Sequence, residues 1–169
     1  MAEDSHLQQI REFCTSLHYG ILKEEEGENA WSLFCDVRDS VILIDKPEGV
    51  DYCYVVYTLH LTEEKVTKIL DQVDAAPPFE YGLKSAVYNP QTNANFIGQD
   101  GHFRGFHILK KMFIRDPGFS LKEFDETIQA VLGTGLLGTA YVFSVIGSRE
   151  LERRIIEEFG KTSPEGMFY

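Results

Sequence analysis

The chain has 169 residues, 43% hydrophobic and 25% charged, with a formal net charge of −11. That size and balance suit one soluble domain with a substantial core. The acidic balance, with a sequence pI of about 4.8, speaks against a nucleic-acid partner, because neutralising phosphates requires basic surface.

The first residues, MAEDSHLQQIREF, lack both a basic n-region and an apolar h-region. No secretory signal is expected there, which places the protein in the cytoplasm. Cys14, Cys35 and Cys53 form no Cys-x-x-Cys and are odd in number. They read as reduced core residues rather than as a disulfide or zinc framework, and no metal site is expected on them.

Taken in order, Ser5 and Gln8 have the spacing of a capping box, and Leu7, Ile10, Phe13, Cys14 and Leu17 form the apolar stripe of a helix ending near His18. Residues 19–26 read as a strand running into an acidic hairpin tip at Glu24, Glu25 and Glu26. Residues 30–37 alternate, with Trp31, Leu33, Cys35 and Val37 on one face. A short strand follows over 40–45, and a long one over 52–61 is apolar on both faces and reads as central. The short connections imply an antiparallel meander. Thr62 is placed to cap a helix carrying Val66, Ile69, Leu70 and Val73. Residues 79–88 suggest a further short helix. The Asn- and Gly-rich stretch 89–101 reads as a mobile loop or hairpin tip.

The chain is organised around residues 103–146. Phe106, Ile108, Met112 and Ile114 alternate with His107, Leu109, Lys111, Phe113 and Arg115, the pattern of an interior strand. A Pro117-Gly118 turn ends it. Ser120 and Glu123 then form a capping box before a helix whose stripe runs through Leu121, Phe124, Ile128, Val131, Leu132, Gly135 and Thr139. A charged last helix begins at Ser148, and 161–169 is a tail closing on Met167, Phe168 and Tyr169. The fold class is therefore α+β. An antiparallel sheet of about 4–6 strands packs against helices, ordered N-terminal helix, meander, helix, strand and C-terminal helices, as one domain over 1–160.

Two features of the long helix have a simple physical reading. Gly133-Thr-Gly135-Leu-Leu-Gly138 spells GxGxxG, but dinucleotide binding needs those glycines between a strand and a helix N-terminus. Here they lie inside a helical pattern, so no cofactor is expected; small residues at Ala130, Thr134 and Gly138 instead let another element pack close. The uncharged run 130–148 approaches the length of a bilayer span, yet it extends an acidic amphipathic helix and reads as a core or subunit-interface helix, with no membrane partner.

The basic residues Arg104, His107, Lys110, Lys111 and Arg115 cluster on the central strand. They form either an anion or acidic-peptide site or a set of neutralising partners for acidic neighbours. Asp36, Asp39, Asp45 and Asp51 lie at strand ends, where aspartates serve turns. No hydrolase, kinase, P-loop or EF-hand signature is present, and no catalytic residue is assigned.

The stretch Phe106-His-Ile-Leu-Lys-Lys-Met-Phe-Ile-Arg-Asp-Pro-Gly-Phe-Ser-Leu-Lys-Glu-Phe, with the element order over about residues 5–160, resembles an uncharacterised archaeal family. That family is similar to the small acidic chaperones of type III secretion. The resemblance implies a non-catalytic homodimer that binds other polypeptides through helices and exposed strands. The resemblance transfers no site residue. The sequence itself offers Ala130, Thr134 and Gly138 on the glycine-bearing helix and the terminal Met167, Phe168 and Tyr169 as the subunit contact, and Gly138→Leu is expected to break dimerisation with the fold retained. The alternative is a small-molecule or anion-binding domain, enzymatic or not, using the basic strand.

Overall fold

Period-2 alternation in six segments produces a single six-stranded antiparallel sheet among the described residues, with helices on one face. The computed structural model describes residues 5–28, 30–73, 77–115 and 118–160. The chain runs α1 (Ser5–Ser16), β1 (Gly20–Glu26), β2 (Trp31–Val37), β3 (Ser40–Lys46), β4 (Tyr52–His60), α2 (Glu64–Leu70) and α3 (Pro77–Ala86). It continues through β5 (Asn93–Gln99), β6 (His102–Phe113) and α4 (Leu121–Gly160). The strand order is β1-β2-β3-β4-β6-β5, a four-strand meander joined to a hairpin whose second strand lies against β4.

Alternation decides which face is core. Trp31, Leu33, Cys35, Val37, Ile42, Ile44, Cys53, Val55, Tyr57, Phe106, Ile108 and Met112 are all buried beneath the helices. Leu7, Ile10 and Cys14 of α1 meet them at the β1–β2 side, while α4 contributes Phe124, Ile128, Val131, Leu132, Val142 and Ile146 over β3, β4 and β6. α1 ends in a Schellman cap: Tyr19 N–H donates to the Cys14 carbonyl (2.9 Å) and His18 N–H to that of Thr15 (3.2 Å). His18 occupies the left-handed position, φ 58°, where glycine is usual.

Several elements differ from the sequence expectations. The Asn-rich stretch holds a hairpin tip at Asp100-Gly101, but residues 93–99 before it form the edge strand β5, because pairing with β6 supplies the ladder that local propensity does not. The acidic run Glu24–Glu26 lies inside β1, where Arg11 of α1 donates to both Glu24 carboxylate oxygens and to Glu26 Oε1 at 3.0 Å. Thr62 does not cap α2, whose N-cap is Glu63, without a side-chain cap bond. Ser120 does receive the Glu123 N–H, at 3.3 Å. No new helix starts at Ser148, since α4 continues unbroken for 40 residues. Asp116, Pro117 and the tail with Met167, Phe168 and Tyr169 lie outside the described residues.

Two glycines make the helix–sheet contact possible, and a third, Gly82, lets α3 and α4 meet. A Cβ on Gly135 would stand 2.3 Å from the Tyr57 ring, one on Gly138 2.7 Å from Phe106 Cζ and 2.6 Å from Val87 Cγ1, and one on Gly82 2.3 Å from the Tyr141 hydroxyl. The GxGxxG segment is thus a packing device inside α4. What closes on it is the pair of stacked rings Tyr57 and Phe106, with centroids 6.3 Å apart, rather than another backbone. Gly138→Leu consequently probes this chain's own core, contrary to the expectation that it would spare the fold. We expect that substitution to lower stability by about 1–3 kcal/mol in urea titration; an unchanged midpoint and slope would contradict the packing.

Candidate functional site

The five basic side chains of the central strand do not converge. Arg104 is the extra residue of a β-bulge, because Gly105 pairs with Ile97 while Phe103 pairs with Gly98. Gly105 closes the bulge at φ 151°, with Leu59 O 1.9 Å from where a Cβ would lie. Arg104 Nη1 donates to Asp71 Oδ1 at 2.7 Å and to the Phe103 carbonyl at 2.9 Å, leaving its side chain 13% exposed. Arg115 pairs with Asp51 at 2.7 Å, and His107 Nδ1 shares a hydrogen bond of 2.9 Å with Thr58 Oγ1. Lys110 and Lys111 are consecutive strand residues and so point to opposite faces. The two guanidinium groups thus hold carboxylates of their own chain.

Lys111 is the member with a different environment. Its ammonium lies 3.9 Å from the centre of the Tyr52 ring and 5.9 Å from those of Tyr54 and Phe113. This aromatic seat belongs to the face of the sheet that no helix covers. On that face Phe34, Leu43, Val56 and Leu109 stand directly opposite one another across β2, β3, β4 and β6. All four are half-exposed, and Val41 (53%) and Phe113 (51%) extend the apolar surface outward. Sequence alternation placed Leu109 and Phe113 together on one face of the strand without showing that this face stays open.

A second apolar surface lies on α4. Thr134 and Gly138, expected in a subunit contact, face inward; Thr134 is 4% exposed, accepts from Asn89 Nδ2 at 2.8 Å and donates to the Ala130 carbonyl at 2.8 Å. Ala130 is half-buried. The outward stripe comprises Gly133, Leu136, Leu137, Ala140, Phe143 and Gly147, with Leu136 at 44%, Leu137 at 64% and Phe143 at 48% exposure. No residue between Glu126 and Arg149 is charged. By length and composition the helix would reach across a bilayer, but its inner face is the cover of the sheet.

The polar feature that the sequence did not announce is a cleft of about 380 Å³ lined by Leu17, His18, Tyr19, Arg38, Asp125 and Gln129. Tyr19 OH donates to Asp125 Oδ1 at 2.5 Å and accepts from Gln129 Nε2 at 2.8 Å. Arg38 sits in the two-residue β2–β3 turn, where it and Asp39 both hold positive φ (54° and 61°). Asn-Gly is the usual solution for such a turn, so an Arg-Asp pair between two alternating strands was the available signal. Among the described residues, no group of three or more His, Cys, Asp and Glu side chains is placed to hold a metal.

Comparison with known proteins adds a fold and no activity. No protein family and no curated protein matches the sequence. The structure is similar to that of an uncharacterised protein from Methanothermobacter thermautotrophicus, with a TM-score of 0.70 at 13% identity over 82% of this chain and 97% of that one. It is also similar to YbjN from E. coli, a proposed transcription regulator, over 80% of this chain and 92% of that one. That likeness has a TM-score of 0.49 at 13% identity, too low to carry an argument. At such identity what is shared is the α+β architecture.

Burial, and donation of its hydroxyl to the Asp125 carboxylate, push Tyr19 from its ordinary value near 10 up to about 12. A raised folded value stabilises the fold below pH 10, and the contribution is lost as pH rises from 10 through about 12. Tyr19→Phe should therefore cost roughly 0.5–1.5 kcal/mol at neutral pH. The gap between variant and wild type should narrow between pH 10 and 12; parallel stability curves across that interval would count against the Tyr19–Asp125 bond.

Proposed function

We propose that this protein is a non-catalytic, cytoplasmic homodimer that binds another polypeptide, in the manner of a chaperone. The observation that carries the proposal is the outward stripe of α4. Its large side chains, Leu136, Leu137 and Phe143, alternate with small ones at seven-residue spacing, Gly133, Ala140 and Gly147. A helix that carries both protrusions and recesses on one stripe is self-complementary, which a two-fold contact between identical chains requires. Burying that stripe would remove apolar area worth roughly 25 cal/mol per Å² from water.

The uncovered sheet face supports the second half of the proposal. A row of apolar side chains spanning four strands, edged by Val41 and Phe113, suits the side chains of an extended, apolar polypeptide better than a small polar ligand. The resemblance to type III secretion chaperones implies a homodimer that binds other polypeptides through helices and exposed strands. The anion-site alternative on the basic strand lacks the convergence it needs, since Arg104 and Arg115 are engaged by Asp71 and Asp51.

Light scattering across a hundredfold dilution tests the self-association. The wild type should keep twice its chain mass of 19.3 kDa. Leu137→Glu should be monomeric, with stability within about 0.5 kcal/mol of wild type because the side chain is exposed. A monomeric wild type, or a variant of undiminished mass, would remove the proposal's support.

A further inference from the structure

Cys14 and Cys35 lie 21 positions apart in sequence, one on α1 and one on β2, yet their sulfurs are 3.7 Å from each other. Both are buried and unoxidised. We propose that Cys14 and Cys35 form a redox-active dithiol that closes to a disulfide on oxidation and fastens α1 to the sheet. The sequence placed these cysteines in the core as inert packing; their juxtaposition gives them chemistry.

Three observations carry this. The thiols already share a hydrogen bond, so the helix and strand need only a small approach to reach a sulfur–sulfur bond of about 2.05 Å. The hydrogen bond shared with Cys35 lowers the Cys14 thiol, outweighing the opposing effect of burial. The bond to Cys14, together with burial, raises Cys35. Cys14, on the helix that opens, is the sulfur carried toward solvent and so attacks first, with Cys35 of the sheet as the resolving partner. Third, α1 is the helix whose loss exposes the pair. It is held by Leu7, Ile10 and Phe13 and by the partly exposed Arg11–Glu24 and Arg11–Glu26 ion pairs, whereas α4 covers three strands. Local opening of α1 admits an oxidant without dismantling the sheet.

With hydrogen peroxide as oxidant, Cys14 loses its proton to solvent and the thiolate attacks one peroxide oxygen. The O–O bond breaks, the departing hydroxide takes up a proton to leave as the first water, and Cys14 becomes a sulfenic acid. The Cys35 sulfur then attacks the Cys14 sulfur and the S–O bond breaks. The Cys35 proton leaves with the hydroxide as the second water. Two thiols lose two hydrogens and one peroxide is reduced to two waters.

The bond would reorganise more than one helix end. Tyr19 N–H is bonded to the Cys14 carbonyl, so fixing Cys14 also fixes the turn through Leu17, His18 and Tyr19 that forms one wall of the polar cleft. Oxidation thus couples the thiol pair to the shape of that cleft.

Full-length wild-type protein treated with hydrogen peroxide, alkylated with N-ethylmaleimide under denaturing conditions and weighed by mass spectrometry provides the test. Reduced protein should take three adducts, and oxidised protein one, with two hydrogens lost. A tryptic digest should then join peptides 12–23 and 24–38, which hold Cys14 and Cys35. Sub-denaturing urea should speed closure, and α1 amide exchange should slow at least tenfold in the oxidised form and recover with dithiothreitol. Three adducts after oxidation with and without urea, or a linkage through Cys53 or between chains, would overturn the assignment.

Discussion

The fold depends on the contact between the backbone of one helix and two aromatic rings of the sheet. Gly135 and Gly138 present bare helix backbone to Tyr57 and Phe106, which stand on neighbouring strands and lie nearly parallel, 26° apart. Glycine in a helix interior costs about 1 kcal/mol relative to alanine. Two such residues are retained here because a Cβ at either position would displace a ring. The Tyr57 hydroxyl, 2.8 Å from Thr139 Oγ1, fixes the same contact with a hydrogen bond. Tyr141 repeats the arrangement one turn on, lying over Gly82 of α3 and donating to the carbonyl of Phe79 at 3.2 Å.

Once those glycines face the sheet, helical periodicity fixes the rest. Residues on the opposite half of the helix, Gly133, Leu136, Leu137, Ala140 and Phe143, point outward. The rotation that packs the core is therefore the rotation that exposes an uncharged stripe. The same logic applies to the sheet: helices on one side place Leu33, Ile42, Val55 and Ile108 in the core and leave Phe34, Leu43, Val56 and Leu109 in the open. A net charge of −11 opposes indiscriminate association of a molecule with two such surfaces through self-repulsion. The functional reading follows from the two uncovered surfaces together, since neither is needed to complete the fold.

Much of the architecture is legible in the sequence, and the exceptions share a cause. The alternation of Trp31, Leu33, Cys35 and Val37 and the stripe of Phe124, Ile128 and Val131 are local signals strong enough to survive folding. β5 was missed because Asn93, Asn95 and Gly98 disfavour strands and are drawn into one by β6. β1 was legible as a strand, but its end at Glu24, Glu25 and Glu26 read as a solvated hairpin tip because the Arg11 that pairs with Glu24 and Glu26 lies on another element. Gly138 was legible as a packing residue, but its partner was not, because Phe106 and Val87 are distant in sequence. The cleft was missed for the same reason: Tyr19 and Asp125 are 106 positions apart. Of the basic strand, the types of residue were readable and their pairing with Asp71 and Asp51 was not.

The central claim is that α4 covers this chain's sheet with one face and a second copy's α4 with the other. Isotope-filtered nuclear Overhauser spectroscopy on a mixed sample of labelled and unlabelled chains addresses it directly. The account predicts intermolecular cross-peaks from the methyl groups of Leu136 and Leu137 to each other and to the Phe143 ring. No intermolecular peaks, or peaks confined to Phe34, Leu43 and Val56 on the open sheet face, would contradict it.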